Sequence, residues 1–394
     1  MAWRLKKVEE QRKALVESYL KGTVSMSELC EQFGVSRKTA YKWCKRYQAF
    51  GDKGLKNQSK APIQPNSIYS NDIIVRAIDK KLKHRHWGPK KVLANMKRDY
   101  PNLQMPSATR LYTIFKKNNL VLPRRLRSQI PATHPLGELN TSNDVWIGDF
   151  KGWFLTGDQK KCEPLTITDG YSRYLIKCQQ LLNKSAEQVW LVFAEAFLEY
   201  GLPNRIRTDN GPPFGSLGVG RLTELSIKFI KAGVIPEWIN PGHPEENGRH
   251  ERFHLTLKEA VATPPANTLE EQIIRMVHFQ EEYNNERPHE SLNMNRPSDW
   301  YIKSMRKWDG VLRAPEYNTT ETLVRKVGCN GCIWVKQYEY YIGSTLIGEY
   351  VGVEEQEKGS LKVRYGPVYL GELKGGNKRI EKPKLIRKAV TRRI

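Results

Sequence analysis

Along the chain, apolar positions recur first with a helical period and only later with a strand period. Residues 8–20 read as a helix. The stretch "SMSELCEQFGVSRKTAYKWCKRYQAFG" then reads as a helix, a turn and a second helix. Ser25 or Ser27 can cap the first, Leu29, Phe33 and Val35 supply its apolar face, and Gly34 permits the tight turn. Ser36 caps the second, with Trp43 facing inward. Residues 51–69 have the Gly, Pro, Asn and Ser content of a linker. Residues 71–121 carry three more helical runs, the last opened by Pro106 and Ser107. Residues 122–140 show neither period and read as an extended arm or a linker.

The centre changes character. "DVWIGDFKGWFL" and "KCEPLTITDGYSRYLIKCQQL" are strand-rich runs separated by the turn "TGDQ". "KSAEQVWLVFAEAFLEYG" is an amphipathic helix ending at a glycine. "NRIRTDNGPPF" is a short strand that stops at Asn210-Gly211. Another helix, the short strand "VIPEWIN", the loop "PGHPEENG" and the helix "RHERFHLTLKEAVATP" follow. Three strands, helix, strand, helix, strand, helix is the layout of a ribonuclease-H-like α/β domain. Residues 267–305 are helical, interrupted at "NNERPHESLNMNRPSDWY". From about 321 short strands with Gly turns predict a small β-barrel.

The expected organisation is therefore multidomain. A helix-turn-helix domain spans 1–50, a linker 51–69, a second helix-turn-helix domain 70–121 and a linker or arm 122–140. A ribonuclease-H-like catalytic domain spans 141–305, a small barrel 320–375 and a basic tail 376–394.

Charge sharpens this picture. Residues 1–131 carry 29 Lys and Arg against 9 acids, and residues 378–394 carry 8 against 1. Residues 132–377 carry 28 against 32. Positive charge clustered at both ends is the footprint of a polyanion, and double-stranded DNA is the expected partner. Arg37, Lys38, Lys42, Lys45 and Arg46 line the second helix of the first module, the one that enters a major groove in this motif. Lys90, Lys91 and Arg110 in the second module, and Arg124 and Arg125 in the arm, extend the expected interface. The charged opening "MAWRLKKVEEQRK" predicts no signal peptide, and "VWLVFAEAFLEY" is too short and too acidic to span a bilayer. Six scattered cysteines suit a reducing compartment, so a cytoplasmic protein working on the nucleoid is expected. Cys329 and Cys332 flank Asn330-Gly331, a spacing that a hairpin turn explains more simply than zinc.

Two readings of the central chemistry compete. His250-Glu251-Arg252-Phe253-His254 is an H-E-x-x-H string, which on a helix can hold zinc with the glutamate as general base. That reading needs a third ligand and leaves the basic modules without a role. The other reading takes three acids by position: Asp149 in the first central strand, Asp209 just past the fourth, and Glu251 on the helix after the fifth. In the expected layout these converge. Converging carboxylates repel one another unless cations neutralise them, and hard oxygen ligands favour Mg²⁺ or Mn²⁺. Two such ions in one site can activate an attacking oxygen and stabilise a leaving one at phosphorus. Asp169 in "TDGYSRY" is a fourth acid, read as a turn or structural residue that can pair with Arg173.

"DVWIGDFKGWF", "LTITDGYSRYL", "RIRTDNG" and "ENGRHERFHLTLKEA" together resemble the catalytic core of DDE transposases of the retroviral-integrase superfamily. The similarity is strongest to single-protein transposases of bacterial insertion sequences with helix-turn-helix modules in front. "YNNERPHESLNMNRPSDWY" resembles the segment that ends that core, so the likeness covers nearly the whole chain. The resemblance implies Asp149, Asp209 and Glu251 as metal ligands and catalytic residues. It also implies a DNA contact from Lys258, two helical turns beyond Glu251, and close approach of DNA at Asn247 and Gly248. The 41 residues between Asp209 and Glu251 exceed the family's common spacing, and the excess falls in "PPFGSLGVGR". The implied activity is binding to the ends of a mobile element, hydrolysis that frees a 3′-OH, and joining of that 3′-OH to target DNA. Pairing two ends implies at least a dimer on DNA. A DNA-binding regulator that keeps the fold without the reaction is the alternative, beside the zinc hydrolase.

Overall fold

The computed structural model describes residues 8–58, 69–121, 139–239, 248–356, 360–373 and 379–381. The chain divides into two compact units, residues 1–68 and 69–394.

The first unit is built from α1 (Val8–Leu20), α2 (Met26–Phe33) and α3 (Arg37–Phe50). Ser25 opens α2 with a capping box: its hydroxyl takes the Glu28 amide while the Glu28 carboxylate takes the Ser25 amide. Gly34 closes α2 in the left-handed region at φ 63°, a conformation that costs a residue with a Cβ. Ser36 caps α3 through the Thr39 amide. Leu15, Val16, Ala40 and Trp43 form the core. Residues 51–55, expected as the start of a linker, instead form a 3-10 turn that buries Leu55 in this core. The turn is fixed by Arg12, which stacks on Trp43 at 3.8 Å and donates to the Leu55 carbonyl at 2.7 Å.

The second unit begins with α4 (Asn71–Lys83), α5 (Pro89–Asp99) and α6 (Ala108–Lys117), packed around Trp87, Met96, Leu111 and Phe115. Pro89 at the first helical turn and the Ser107 cap set the starts of α5 and α6. A mixed sheet follows. Its strands are β1 (Val145–Phe150), then a short ribbon of β2 (Phe154–Leu155) and β3 (Lys161–Cys162), then β4 (Pro164–Asp169) and β5 (Leu175–Gln180). After α7 (Ala186–Tyr200) come β6 (Arg205–Thr208), α8 (Glu224–Lys231), β7 (Ile235–Trp238), α9 (Gly248–Val261) and α10 (Leu269–Asn285). The order across the sheet is β5-β4-β1-β6-β7, antiparallel on the β5-β4-β1 side and parallel from β1 to β7.

Helices cover both faces. Trp146, Leu165, Ile167 and Ile206 meet Phe193, Phe197 and Phe229 of α7 and α8. Leu175 and Cys178 face Phe253, Leu257, Met276 and Phe279 of α9 and α10 on the other side. Gly148 lets α7 close in, since a Cβ there would stand 2.9 Å from the Phe193 ring. Among the described residues no helix is long and apolar enough to cross a membrane.

The C-terminal strands are β8 (Leu323–Lys326), β9 (Cys332–Val335), β10 (Tyr338–Tyr341), β11 (Tyr350–Glu355), β12 (Leu361–Tyr365) and β13 (Val368–Leu373). They correct the expected barrel. They form an open sheet, β13-β12-β11-β8, beside a separate β9-β10 hairpin, and among the described residues no ladder joins β8 to β13. The sheet buries its inner face against Leu222, Ile227 and Ile230, on and beside α8, and against the hairpin, so closure on itself is not needed. Asn330-Gly331 makes the turn between β8 and β9, with Gly331 at φ 74° and both flanking cysteines unpaired.

Candidate active site and nucleic-acid interface

The pleat places Asp149. Trp146 points toward α7, so by alternation Asp149 points to the other face, where it meets His250 and His254 of α9. In β6, Ile206 points toward α7, and Asp209 follows directly after the strand ends at Thr208. β1 and β6 are parallel, with Ile147 opposite Arg207. Asp149 and Asp209 each lie two residues beyond that pair, at the same end of adjacent strands. Burial pushes the Asp209 carboxyl up, against the Gly211 amide bond and the charge of Lys184.

The helix carrying Glu251 is docked by its histidines. His250 is 1 % exposed, and its Nε2 lies 2.9 Å from the Thr166 hydroxyl. His254 Nε2 lies 2.9 Å from the same hydroxyl. Thr166 faces Asp149 across β4 and β1 and donates its one hydroxyl proton to the Asp149 carbonyl at 3.0 Å. With that proton committed, the Thr166 oxygen can only accept, so both imidazoles donate Nε2–H to it. Thr168 then donates to His250 Nδ1 at 3.2 Å. Burial, with His254 alongside, holds His250 far below the ordinary imidazole value, and burial beside Lys151 holds His254 to about 3. Both are neutral rings. A carboxylate oxygen of Asp149 and ring nitrogens of His250 and His254 come within 4.8 Å of one another. Glu251 shares the first turn of α9 with His250 but is exposed.

Lys258 is exposed, two turns along α9. Burial, then the charge of Lys258, lowers the Lys151 ammonium, so two cations border the end of β1. Asp169 serves the turn, as expected. It accepts from the Asn143 amide and from the Ser172 amide and hydroxyl, which fixes the β4–β5 turn.

On α3, Arg37, Lys38, Lys42 and Lys45 are exposed. Arg37 also donates to Ser27 at 2.7 Å. Arg46 differs: it lies over Trp43 at 5.2 Å and donates to Gln58, which ties it to its own domain. Lys90 and Arg110 are exposed on α5 and α6, while Lys91 is half-buried. The three-helix module α4–α6 is gripped by the core. His84 meets Glu282 at 3.0 Å, Asn95 donates to the Glu286 carbonyl, and Arg98 forks onto Asp299 with both bonds at 3.0 Å. Asn247, Arg124 and Arg125 lie outside the described residues. Thr166 and Thr168 escaped sequence reasoning. Their one signal is two hydroxyl residues alternating with Leu165 and Ile167 in a strand buried on both faces.

Residues 11–63 match the helix-turn-helix domain family and residues 232–297 match the integrase core domain family. An insertion element IS407 protein of Burkholderia multivorans is 24 % identical over 240 residues, 60 % of this chain and 83 % of the relative. An insertion element IS476 protein of Xanthomonas euvesicatoria is 24 % identical over 229 residues, 57 % of this chain. The chain spans 63 % of that relative's length. Among solved structures, the catalytic core domain of HTLV-2 integrase in complex with magnesium is 18 % identical. It covers 41 % of this chain and 97 % of its own, with a TM-score of 0.31.

Proposed function

From a chain that joins a helix-turn-helix domain to an integrase core and resembles insertion-element proteins, we propose a DNA transposase. Its reaction is hydrolysis of a phosphodiester at the end of a mobile element, followed by attack of the freed 3′-OH on target DNA. The observation that supports this reading is that Asp149 in β1 and Asp209 just after β6 lie at the same end of adjacent parallel strands, with α9, which bears Glu251, docked through His250 on the neighbouring β4.

The donor set fits divalent cations. Asp149, Asp209 and Glu251 offer carboxylate oxygens, the ligands that hard ions such as Mg²⁺ or Mn²⁺ prefer. When bound there, such ions supply Lewis acidity to the attacking and leaving oxygens. The chain's own groups do the rest. Lys151 and Lys258 border the carboxylates and offer charge to a DNA phosphate. The buried Thr166–histidine joint holds α9 against β4 beside Asp149. The exposed Arg37, Lys38, Lys42 and Lys45 of α3 read or grip the element's end, with Lys90 and Arg110 adding phosphate contacts. Two ends must be held together, which calls for at least a dimer on DNA.

The Asp149–His250–His254 cluster supports a second reading, a zinc site. It would require both histidines to give up Nε2–H bonds to Thr166 or to ligate through Nδ1, and it leaves Asp209 without a role.

The deciding experiment is Mg²⁺- or Mn²⁺-dependent nicking and joining of DNA taken from the flanks of the gene. Wild type and Asp209→Asn are compared, with metal content measured on the same preparations. Joining that depends on Asp209 in zinc-free protein supports the transposase. Stoichiometric zinc with activity that survives Asp209→Asn supports the second reading. Tight DNA binding with no nicking by wild type points to a regulator.

A further inference from the structure

Between Asp209 and α8 runs the segment "PPFGSLGVGR", a loop tied down at both ends. At the near end Phe214 is buried. Its ring meets Phe150 of β1 at 5.7 Å, and its carbonyl accepts from the Trp238 indole at 2.9 Å. At the far end Ser216 closes the loop on itself. Its amide donates to the Arg221 carbonyl at 3.2 Å, and its hydroxyl donates to the Leu222 carbonyl at 2.8 Å.

The far end then returns to the acid. The Arg221 guanidinium donates through Nη1 to the Asn210 side-chain oxygen at 3.0 Å and to the Ile239 carbonyl at 3.3 Å. Asn210 donates its side-chain amide to the same carbonyl at 2.9 Å. The Ile239 amide donates in turn to the Thr208 carbonyl at 3.3 Å. Thr208 and Asn210 are the two neighbours of Asp209, so both sides of that residue are held to the chain leaving β7. The Asp209 carboxylate itself accepts from the Gly211 amide at 3.3 Å. A residue just past a strand end has lost its ladder, and the ring of Arg221, Asn210 and Ile239 restrains it instead.

The C-terminal strands set Arg221. Val219 and Leu222 pack into their core. Between them, Gly220 lies so close to β13 that a Cβ would stand 2.6 Å from a methyl of Leu370 and 3.3 Å from one of Val368. Gly220 and Arg221 are both left-handed, with φ of 62° and 58°. An arginine is uncommon in that region and stays there only where its surroundings hold it. The packing of β13 on this turn and the two bonds of the guanidinium provide that hold.

We propose that Arg221 is a positioning residue for Asp209, and that β13 sets it through Gly220. Arg221 fixes Asn210, and with it the direction in which Asp209 presents its oxygens to a divalent cation. A ligand already held in place loses less freedom when an ion binds, so loosening it weakens the ion. The proposal rests on the reading above that Asp209 is a metal ligand. It deepens that reading by giving the long Asp209–Glu251 spacer and the C-terminal sheet a part in the chemistry.

The test is Mn²⁺ binding by full-length protein, followed by electron paramagnetic resonance of the free ion. Beside it is measured the Mn²⁺ concentration for half-maximal joining of DNA from the flanks of the gene. Asp209→Asn is the reference that loses the site. Arg221→Gln should weaken Mn²⁺ binding about tenfold and raise the half-maximal concentration by the same factor, with joining restored at saturating metal. A variant that is only less stable loses folded fraction and not affinity. Asn210→Ala should match it, and the double variant should lose no more than either alone, because one ring is broken. Asn210→Ala carries the test if Arg221→Gln fails to fold. Gly220→Ala, which drives a methyl toward Leu370, should shift Mn²⁺ binding in the same direction, and Val368→Ala replaces it if it does not fold. Wild-type affinity in the folded Arg221 or Asn210 variant overturns the positioning role. Wild-type affinity in the folded Gly220 or Val368 variant overturns the part of β13. If Arg221 instead grips a phosphate, Arg221→Gln lowers the slope of log K for DNA against log salt by about 0.9 with Mn²⁺ affinity unchanged, and the proposal falls. Equal Mn²⁺ binding by wild type and Asp209→Asn overturns the three-carboxylate reading, and this proposal with it.

Discussion

The hydroxyl of Thr166 donates to the backbone carbonyl of Asp149 at 3.0 Å and so forces two imidazoles to donate to it. The H-E-x-x-H string is thereby a joint between a helix and a strand. Its histidines bury and dock α9, and its glutamate is left on the exposed side of the same turn.

Replacing Thr166 by Val keeps the shape and removes the shared acceptor. Each buried donor left unpaired costs about 1–3 kcal/mol, so Thr166→Val should lower stability by at least that much in urea denaturation. Thr166→Ser, which keeps the oxygen, should retain most of it. A Val variant within about 0.5 kcal/mol of wild type would show that the two imidazoles do not depend on this hydroxyl.

The acids and the histidines should separate in function. Asp149→Asn removes a carboxylate charge from the end of β1 and should abolish DNA joining. His254→Gln keeps a side-chain donor and should leave joining within about tenfold of wild type, with the same Mg²⁺ dependence. Equal loss in both, measured with matched folded fractions, would bring the histidines into the chemistry.

Below neutral pH the buried histidines should cost stability. His289 is held to about 2, against an ordinary value of about 6.5. Above pH 6.5 neither state binds the proton, and stability is complete. As pH falls through 6.5 the unfolded chain takes up a proton that the folded chain refuses. The stability contributed then falls by at most about 1.4 kcal/mol per pH unit for this group. Urea midpoints at pH 7 and pH 5 should therefore differ less in His289→Gln than in wild type. An identical pH slope would mean that this ring titrates freely in the fold.

The grip on α5 should be breakable. Burial would raise the Asp299 carboxyl, but bonds from Arg296 and Arg98 outweigh it and hold the group well below the usual carboxylate range. Asp299→Ala should cost about 1 kcal/mol, since the pair is only partly buried, and the contribution is lost in wild type as pH falls below about 4. Limited proteolysis should then cut within α4–α6 faster than in wild type. Unchanged cleavage would show that His84 and Asn95 suffice.

In the first unit, folding and DNA contact should come apart on one helix. Ser36→Ala removes the cap of α3 and should cost about 1 kcal/mol in thermal unfolding. Lys38→Ala is exposed and should leave stability unchanged while lowering the salt slope of DNA binding by about 0.9. A lysine variant that binds DNA with the wild-type slope would remove α3 from the interface.

Much of this protein was legible locally. The capped helices at Ser25, Ser36 and Ser107 and the left-handed turn at Gly34 are set by residues within a few positions of one another. So is the alternation in β1 that turns Asp149 away from α7, because the strand period is a property of the backbone. Other features depend on which distant segment arrives. The spacing of His250 and His254 says that they share a helix face, but only the passage of β4 beneath that face supplies Thr166 and makes them a dock. Leu55 looks like linker until Arg12 and Trp43 cover it. The C-terminal strands read as a barrel because their pattern gives one buried face. It does not say what buries that face, and α8 does so here. Local pattern fixes the direction in which a side chain points. Tertiary packing decides what it meets, because a buried polar group takes its partner from whichever element the core brings to it.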